Sequence, residues 1–281
     1  MKMDMMATND LYRDIQRRCN GEIYIGIVGP VRSGKSTFIK RFMDLLVLPN
    51  MADENEKIRT RDELPQSGGG RTITTTEPKF IPNEAARIRI SEDVELKVRL
   101  IDCVGFMVDG AAGHMENGQE RMVRTPWFEE AVPFSKAAEI GTRKVISEHS
   151  TVGIVIVGDG SFADFSTQEY LKAADEAINE LTSLKKPFIV LLNTTKPYSE
   201  ASAKLAFDME EKYHVHTIPV NCAQLKAEDI YMILQELLLA FPVSRLCFYT
   251  PKWFSLLDPE HQIKKELSEF NNFELIFGDF L

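Results

Sequence analysis

Gly29-Pro30-Val31-Arg32-Ser33-Gly34-Lys35-Ser36 is the stretch on which the fold turns. An apolar run, Ile23 to Val28, precedes it, and a helix-prone stretch, Thr37-Phe38-Ile39-Lys40-Arg41-Phe42, follows. The pattern G-x-x-x-x-G-K-[ST] between a strand and a helix is that of a phosphate loop. Backbone N–H groups wrap the phosphates, the helix turns its positive dipole end toward them, the lysine reaches the β and γ oxygens, and the hydroxyl ligates Mg²⁺. Gly29, Arg32, Ser33, Gly34, Lys35, Ser36 and Thr37 are therefore candidate nucleotide-binding residues, with Ser36 also a metal ligand. The chain is expected to bind a nucleoside triphosphate.

Around this loop, strand-like and helix-like segments alternate as an α/β fold with a mostly parallel sheet requires. Strands are expected at Glu22 to Val28, Arg87 to Ile90, Leu96 to Ile101, Val152 to Val157, Phe188 to Leu192 and Thr217 to Val220. Several are unbroken Val/Ile/Leu runs, the pattern of strands covered on both faces. Helices are expected at Leu11 to Arg18, Thr37 to Leu46, Ala137 to Glu148, Thr167 to Leu184, Glu200 to Tyr213 and Ala227 to Phe241. Two stretches break the rhythm, Asn50 to Asn83 and Gly105 to Phe134, and loops this long are commonly functional. Both follow elements that flank a γ-phosphate, where nucleotide switch loops sit.

Composition narrows the class. The 281 residues are 44% hydrophobic and 27% charged, a globular balance with room for a sizeable core. A net charge of −9, from 42 acidic and 33 basic side chains, disfavours general nucleic-acid binding and anionic lipid. Cys19, Cys103, Cys222 and Cys247 have neither disulfide-framework nor zinc-site spacing, which suits a reducing cytoplasm. His214-Val215-His216 reads as loop and strand-edge structure, and no window has the length of apolar sequence that a transmembrane helix needs.

The second nucleotide motif is Asp102-Cys103-Val104-Gly105, at the end of Leu96 to Ile101. An acid there holds Mg²⁺ through water, and the glycine amide approaches the γ-phosphate. Between the two motifs runs Thr72-Ile73-Thr74-Thr75-Thr76, and Thr75 and Thr76 are the candidates to close over the metal and γ-phosphate, with Thr72 and Thr74 as runners-up. Base recognition departs from the guanine pattern N-K-x-D: Asn193-Thr194-Thr195-Lys196 keeps the asparagine but puts an ammonium where a carboxylate must accept from guanine. ATP becomes the expected nucleotide. Phe106 stands where many GTPases place a water-orienting glutamine, so slow turnover is expected.

Together these residues resemble the ATPase domain of the stage IV sporulation protein A family, the morphogenetic ATPases of endospore-forming bacteria. The similarity runs through about the first 240 residues. It includes Gly29 to Lys40, Asp62-Glu63-Leu64-Pro65-Gln66-Ser67, Thr75 to Phe80, Asp102 to Gly105, Thr125-Pro126-Trp127-Phe128-Glu129-Glu130, Ala138 to Ile146 and Glu148 to Thr151. The resemblance implies a translational-GTPase-like (TRAFAC) P-loop NTPase fold, a three-layer sandwich turned to ATP and Mg²⁺. It further implies hydrolysis that drives self-assembly into a static polymer at the forespore surface in the mother cell, the basement layer for spore coat proteins. Lys35, Thr75, Thr76 and Asp102 take the catalytic roles, Ser36, Thr75 and Asp102 the metal, and Gly105 and Asn193 join the nucleotide site. Residues 1–241 would form the ATPase domain and 242–281 a divergent remnant of a junction to a middle domain. Family members continue past this point to a region that locates them at the forespore membrane. The resemblance leaves membrane targeting and coat anchoring open for this chain, and the expected partners are itself or a full-length relative, with spore coat proteins beside them. Two rivals are a nucleotide-bound scaffold without turnover, suggested by Phe106, and a ribosome-assembly GTPase, opposed by Lys196 and the acidic balance.

Overall fold

In the computed structural model the described residues are 12–17, 19–65, 78–91, 94–108, 115–116, 119–162, 165–241, 246–258, 260–268 and 273–278. They divide into two compact units, Met1–Ala240 and Phe241–Leu281.

The first unit is built on six strands: β1 (Glu22–Val28), β2 (Lys79–Ser91), β3 (Val94–Asp102), β4 (Val152–Gly158), β5 (Phe188–Asn193) and β6 (Thr217–Val220). Their order in the sheet is β6-β5-β4-β1-β3-β2, all parallel except β2, which runs antiparallel to β3. Strand order reverses beside β1, and ligands of open α/β sheets bind at the carboxyl ends of strands at such a point. Every residue of β4 and β5 is buried. One layer packs Val155, Val157, Val190 and Leu192 against Ala173, Ala177 and Ile178 of α4 (Thr167–Ser183) and Met209 of α5 (Glu200–Tyr213). Their neighbours Ile154, Ile156, Ile189 and Leu191 face the opposite side and are buried as completely. The result is a P-loop NTPase-like three-layer sandwich.

The helix after the phosphate loop, α1 (Lys35–Phe42), starts two residues before the expected position and runs on through a π-helical stretch, Met43–Val47, to a last turn, Leu48–Asn50. Pro49 has no N–H to give a regular ladder. Leu48 N–H instead reaches back to Met43 O, and the Asn50 side-chain amide donates to Leu46 O at 2.7 Å. A second π-helical stretch, Val145–His149, closes α3 (Phe134–Lys144). α6 (Ala227–Leu239) completes this unit, and residues 12–17 are also helical, with Tyr12 and Ile15 buried.

The stretch Asn50 to Asn83, expected as a loop, holds α2 (Glu54–Asp62) and the first part of β2. α2 is polar almost all round, so no apolar period announces it, but Asp53 accepts from the N–H groups of Asn55 and Glu56 and caps it. β2 lies at the sheet edge, which tolerates Pro82, and its pairing shifts register between Ile81 and Ala86. Within Gly105 to Phe134, two-residue strands pair Met115–Glu116 with Gln119–Glu120 and Met122–Val123 with Val132–Pro133. His214 is the left-handed cap of α5, and the His216 imidazole lies between Glu210 Oε1 at 2.5 Å and Glu236 Oε2 at 3.5 Å.

α4 begins with a reciprocal cap: the Ser166 hydroxyl accepts from Glu169 N–H, and the Glu169 carboxylate accepts from Ser166 N–H. Ser166→Ala is expected to lower stability by about 1 kcal/mol, read from the urea midpoint, with nucleotide affinity unchanged.

The second unit pairs β7 (Leu246–Pro251) in parallel with β8 (Phe273–Gly278), linked through a 3₁₀ turn, Lys252–Leu256, and α7 (Gln262–Ser268). Phe254 is buried, whereas Trp253, Leu256 and Ile263 are exposed. Among the described residues no helix is long and apolar enough to cross a membrane.

Candidate functional site

β1 ends at Val28, and the chain curls through residues 29–34 before Lys35 opens α1. Gly29 at φ +128°, Arg32 at +61° and Gly34 at +105° place three left-handed steps in this turn. Three neighbours hold the loop from outside. The hydroxyl of Tyr170, buried in α4, donates to Arg32 O at 3.0 Å. Asn193, the last residue of β5, donates Nδ2 to Ser33 O at 2.9 Å while its Oδ1 accepts Cys222 N–H at 3.0 Å. The chain after β3 docks alongside, with Val31 N–H donating to Phe106 O at 2.9 Å and Phe106 N–H to Gly29 O at 3.2 Å.

The Lys35 ammonium lies within this frame and donates to Gly29 O at 3.3 Å and Pro30 O at 2.5 Å. Burial holds it below the usual lysine range, against the opposing influence of Cys103 and Asp102. Asp102 ends β3, and its Oδ2 accepts from the Ser36 hydroxyl at 3.0 Å. Its Oδ1 is buried with no hydrogen-bond partner among the described residues, as is Ser33 Oγ. Such orphaned atoms are rare and ask for a ligand or water. A hard divalent cation takes oxygen donors, and a buried carboxylate oxygen beside a serine hydroxyl suits Mg²⁺, directly or through water. Gly105, at φ +94°, lets the segment after Asp102 come this close: a Cβ there would sit 2.1 Å from Gly29 O and 2.5 Å from Lys35 Nζ.

Burial pushes the Asp102 carboxyl above its ordinary range, against the lowering effects of Lys35, Ser36 and Lys79. A carboxyl raised on folding adds stability below its unfolded value of 3.8 and loses that contribution as pH rises through the folded value. In nucleotide-free protein, Asp102→Asn is therefore expected to gain stability relative to the parent at neutral pH. The gap in urea midpoints should close as pH falls toward 4. A gap that widens on acidification contradicts this.

The structure thus brings Gly29, Lys35, Ser36, Asp102 and Gly105 together, with Thr37 half-buried in the first turn of α1. Asn193 touches the loop, but both ends of its amide are engaged by protein backbone. Lys196 is exposed and Phe106 is buried in the core. Thr72, Thr74, Thr75 and Thr76 lie outside the described residues. Sequence reasoning missed the Tyr170 brace, since a tyrosine at helical spacing among apolar residues reads as core. Cys222 was also missed as a partner of Asn193, because the loop after β6 carries no motif. Burial pushes the Cys103 thiol up to about 11 and the Cys222 thiol to about 12.

A family model described as stage IV sporulation protein A, ATPase domain, matches residues 6–242. The stage IV sporulation protein A of Clostridioides difficile (strain 630) is 50% identical over 259 residues, 92% of this chain and 53% of that protein. Those of Bacillus anthracis and Bacillus subtilis (strain 168) are 45% and 44% identical over 264 residues, in each case 94% of this chain and 54% of theirs. The chain spans about half the length of these relatives. Among solved structures, an SsGBP variant superposes with a TM-score of 0.42 at 15% identity, covering 85% of this chain and 65% of that one.

Proposed function

Because the chain belongs to the stage IV sporulation protein A family, we propose that it binds ATP with Mg²⁺, hydrolyses it slowly, and couples that turnover to self-assembly during sporulation. The observation that carries this reading is the Ser36–Asp102 contact at 3.0 Å beside Lys35, with Asp102 Oδ1 left without a partner among the described residues. The start of α1, just after the loop that follows β1, and the end of β3 thereby bring a hydroxyl, a carboxylate and an ammonium together, the groups that a triphosphate with its metal requires. Bound there, Mg²⁺ would neutralise charge on the β and γ oxygens. Ser36 and Asp102 would hold it, Thr75 and Thr76 would close over it, and Lys35 would exchange its two loop carbonyls for phosphate oxygens.

Adenine is favoured over guanine because Lys196, exposed after β5, offers donors where guanine needs an acceptor. Phe106 supports slow turnover, since its side chain cannot orient water and its backbone N–H and C=O are taken by Gly29 and Val31. The proposed partners are further copies of the chain or a full-length relative, and then spore coat proteins, in the mother cell at the forespore surface. Light scattering with and without MgATP tests the assembly claim: particle growth should require nucleotide. Identical traces for the parent and a phosphate-loop variant would remove it. The same burial of Phe106 favours one second reading, a nucleotide-bound scaffold, and single-turnover phosphate release separates the two: tight binding without release selects the scaffold.

A further inference from the structure

We propose that Arg32 is a catalytic residue, a guanidinium supplied in cis by the phosphate loop to the charge that develops on the transferring phosphoryl group; this deepens the ATP-hydrolysing reading and rests on it. Four non-glycine residues have positive φ among the described residues: Asn20, Arg32, Lys185 and His214. Three occupy ordinary places for it. His214 caps α5, Lys185 follows α4, and Asn20 turns the chain into β1. Arg32 alone among them lies in a ligand loop, where glycine would take φ +61° without strain. A strained residue persists where its surroundings over-determine it, and such positions gather at functional sites.

The surroundings do over-determine it. Tyr170 Oη holds Arg32 O at 3.0 Å, and Asn193 Nδ2 holds Ser33 O at 2.9 Å, so the two successive peptides that follow Arg32 are clamped from two different elements. The half-buried side chain thus leaves a fixed backbone three residues before Lys35. Chemistry supplies the need. Phosphoryl transfer is catalysed almost wholly by positioning and by cations on its oxygens, and an arginine in cis serves that role in some phosphate-loop enzymes. Here the position after Gly105 carries Phe106, buried and without a side-chain hydrogen bond to offer. A planar five-donor fork in the loop supplies charge stabilisation at the phosphoryl oxygens, a role separate from the water orientation that Phe106 cannot give.

The test compares the parent with Arg32→Gly and Arg32→Lys. Four measurements are made: melting of the nucleotide-free protein, MgATP affinity, affinity for ADP with aluminium fluoride, and single-turnover phosphate release. Arg32→Gly should melt higher than the parent because the left-handed strain is gone. It should bind MgATP within about threefold of the parent, bind the ADP–fluoride complex at least tenfold more weakly, and release phosphate roughly 10³-fold more slowly. Arg32→Lys should recover part of both losses. Parental turnover and fluoride-complex affinity in Arg32→Gly overturn the proposal, as does a loss of MgATP affinity equal to the loss of rate. A parent that binds no MgATP sinks the underlying reading instead, and the proposal with it.

Discussion

Gly29→Ala is expected to lose about 3–5 kcal/mol of stability, enough to leave little folded protein at 37 °C. Two effects add. At φ +128° an L side chain is strained whatever the space around it. The new Cβ would also lie 2.3 Å from Ile156 O, with the carbonyl carbon and nitrogen of the same residue at 3.2 Å. Ile156 belongs to β4, which pairs with β1 on one side and β5 on the other, so relief requires opening the centre of the sheet. A flexible side chain in that place would yield cheaply; backbone does not. Urea denaturation of the purified variant, or its partition into inclusion bodies, measures the effect, and a midpoint within error of the parent would show that the loop can move as a body.

Lys35→Ala is expected to weaken MgATP binding by roughly 10²-fold or more while leaving the fold intact. Charge-assisted hydrogen bonds are about twice as strong as neutral ones, and this ammonium is held where burial makes them stronger still. The variant keeps the glycines, the Tyr170 and Asn193 braces and the Ser36–Asp102 contact, because none of them uses the lysine side chain. Titration calorimetry with MgATP reads the loss, and circular dichroism checks the fold. Parental affinity in this variant would place the phosphates elsewhere on the molecule.

Much of this was legible in the chain itself, and the exceptions have physical causes. β1 and β6 have the bounds their apolar runs imply, and α5 those its helical period implies, because each buries one face or two against a continuous core. α2 escaped because a solvent-facing helix with a polar circumference has no period to read; its announcement was a cap, Asp53 with Glu56 three residues on. The start of β2 escaped because an edge strand with a register shift needs only one partner, so Pro82 and Asn83 break its pattern without breaking its pairing.

The candidate site divides in the same way. A phosphate loop, an acid at a strand end and a missing guanine acceptor are local facts, since each depends on which side chains a short segment carries. They were determined by the sequence alone. That Ser36 meets Asp102 across 66 positions, that Tyr170 and Asn193 clamp the two peptides following Arg32, and that Asp102 Oδ1 has no partner among the described residues were decided only when parallel strands set β1 beside β3 and β4. Contacts between distant segments depend on register and burial, which the whole sheet settles at once and no single segment encodes.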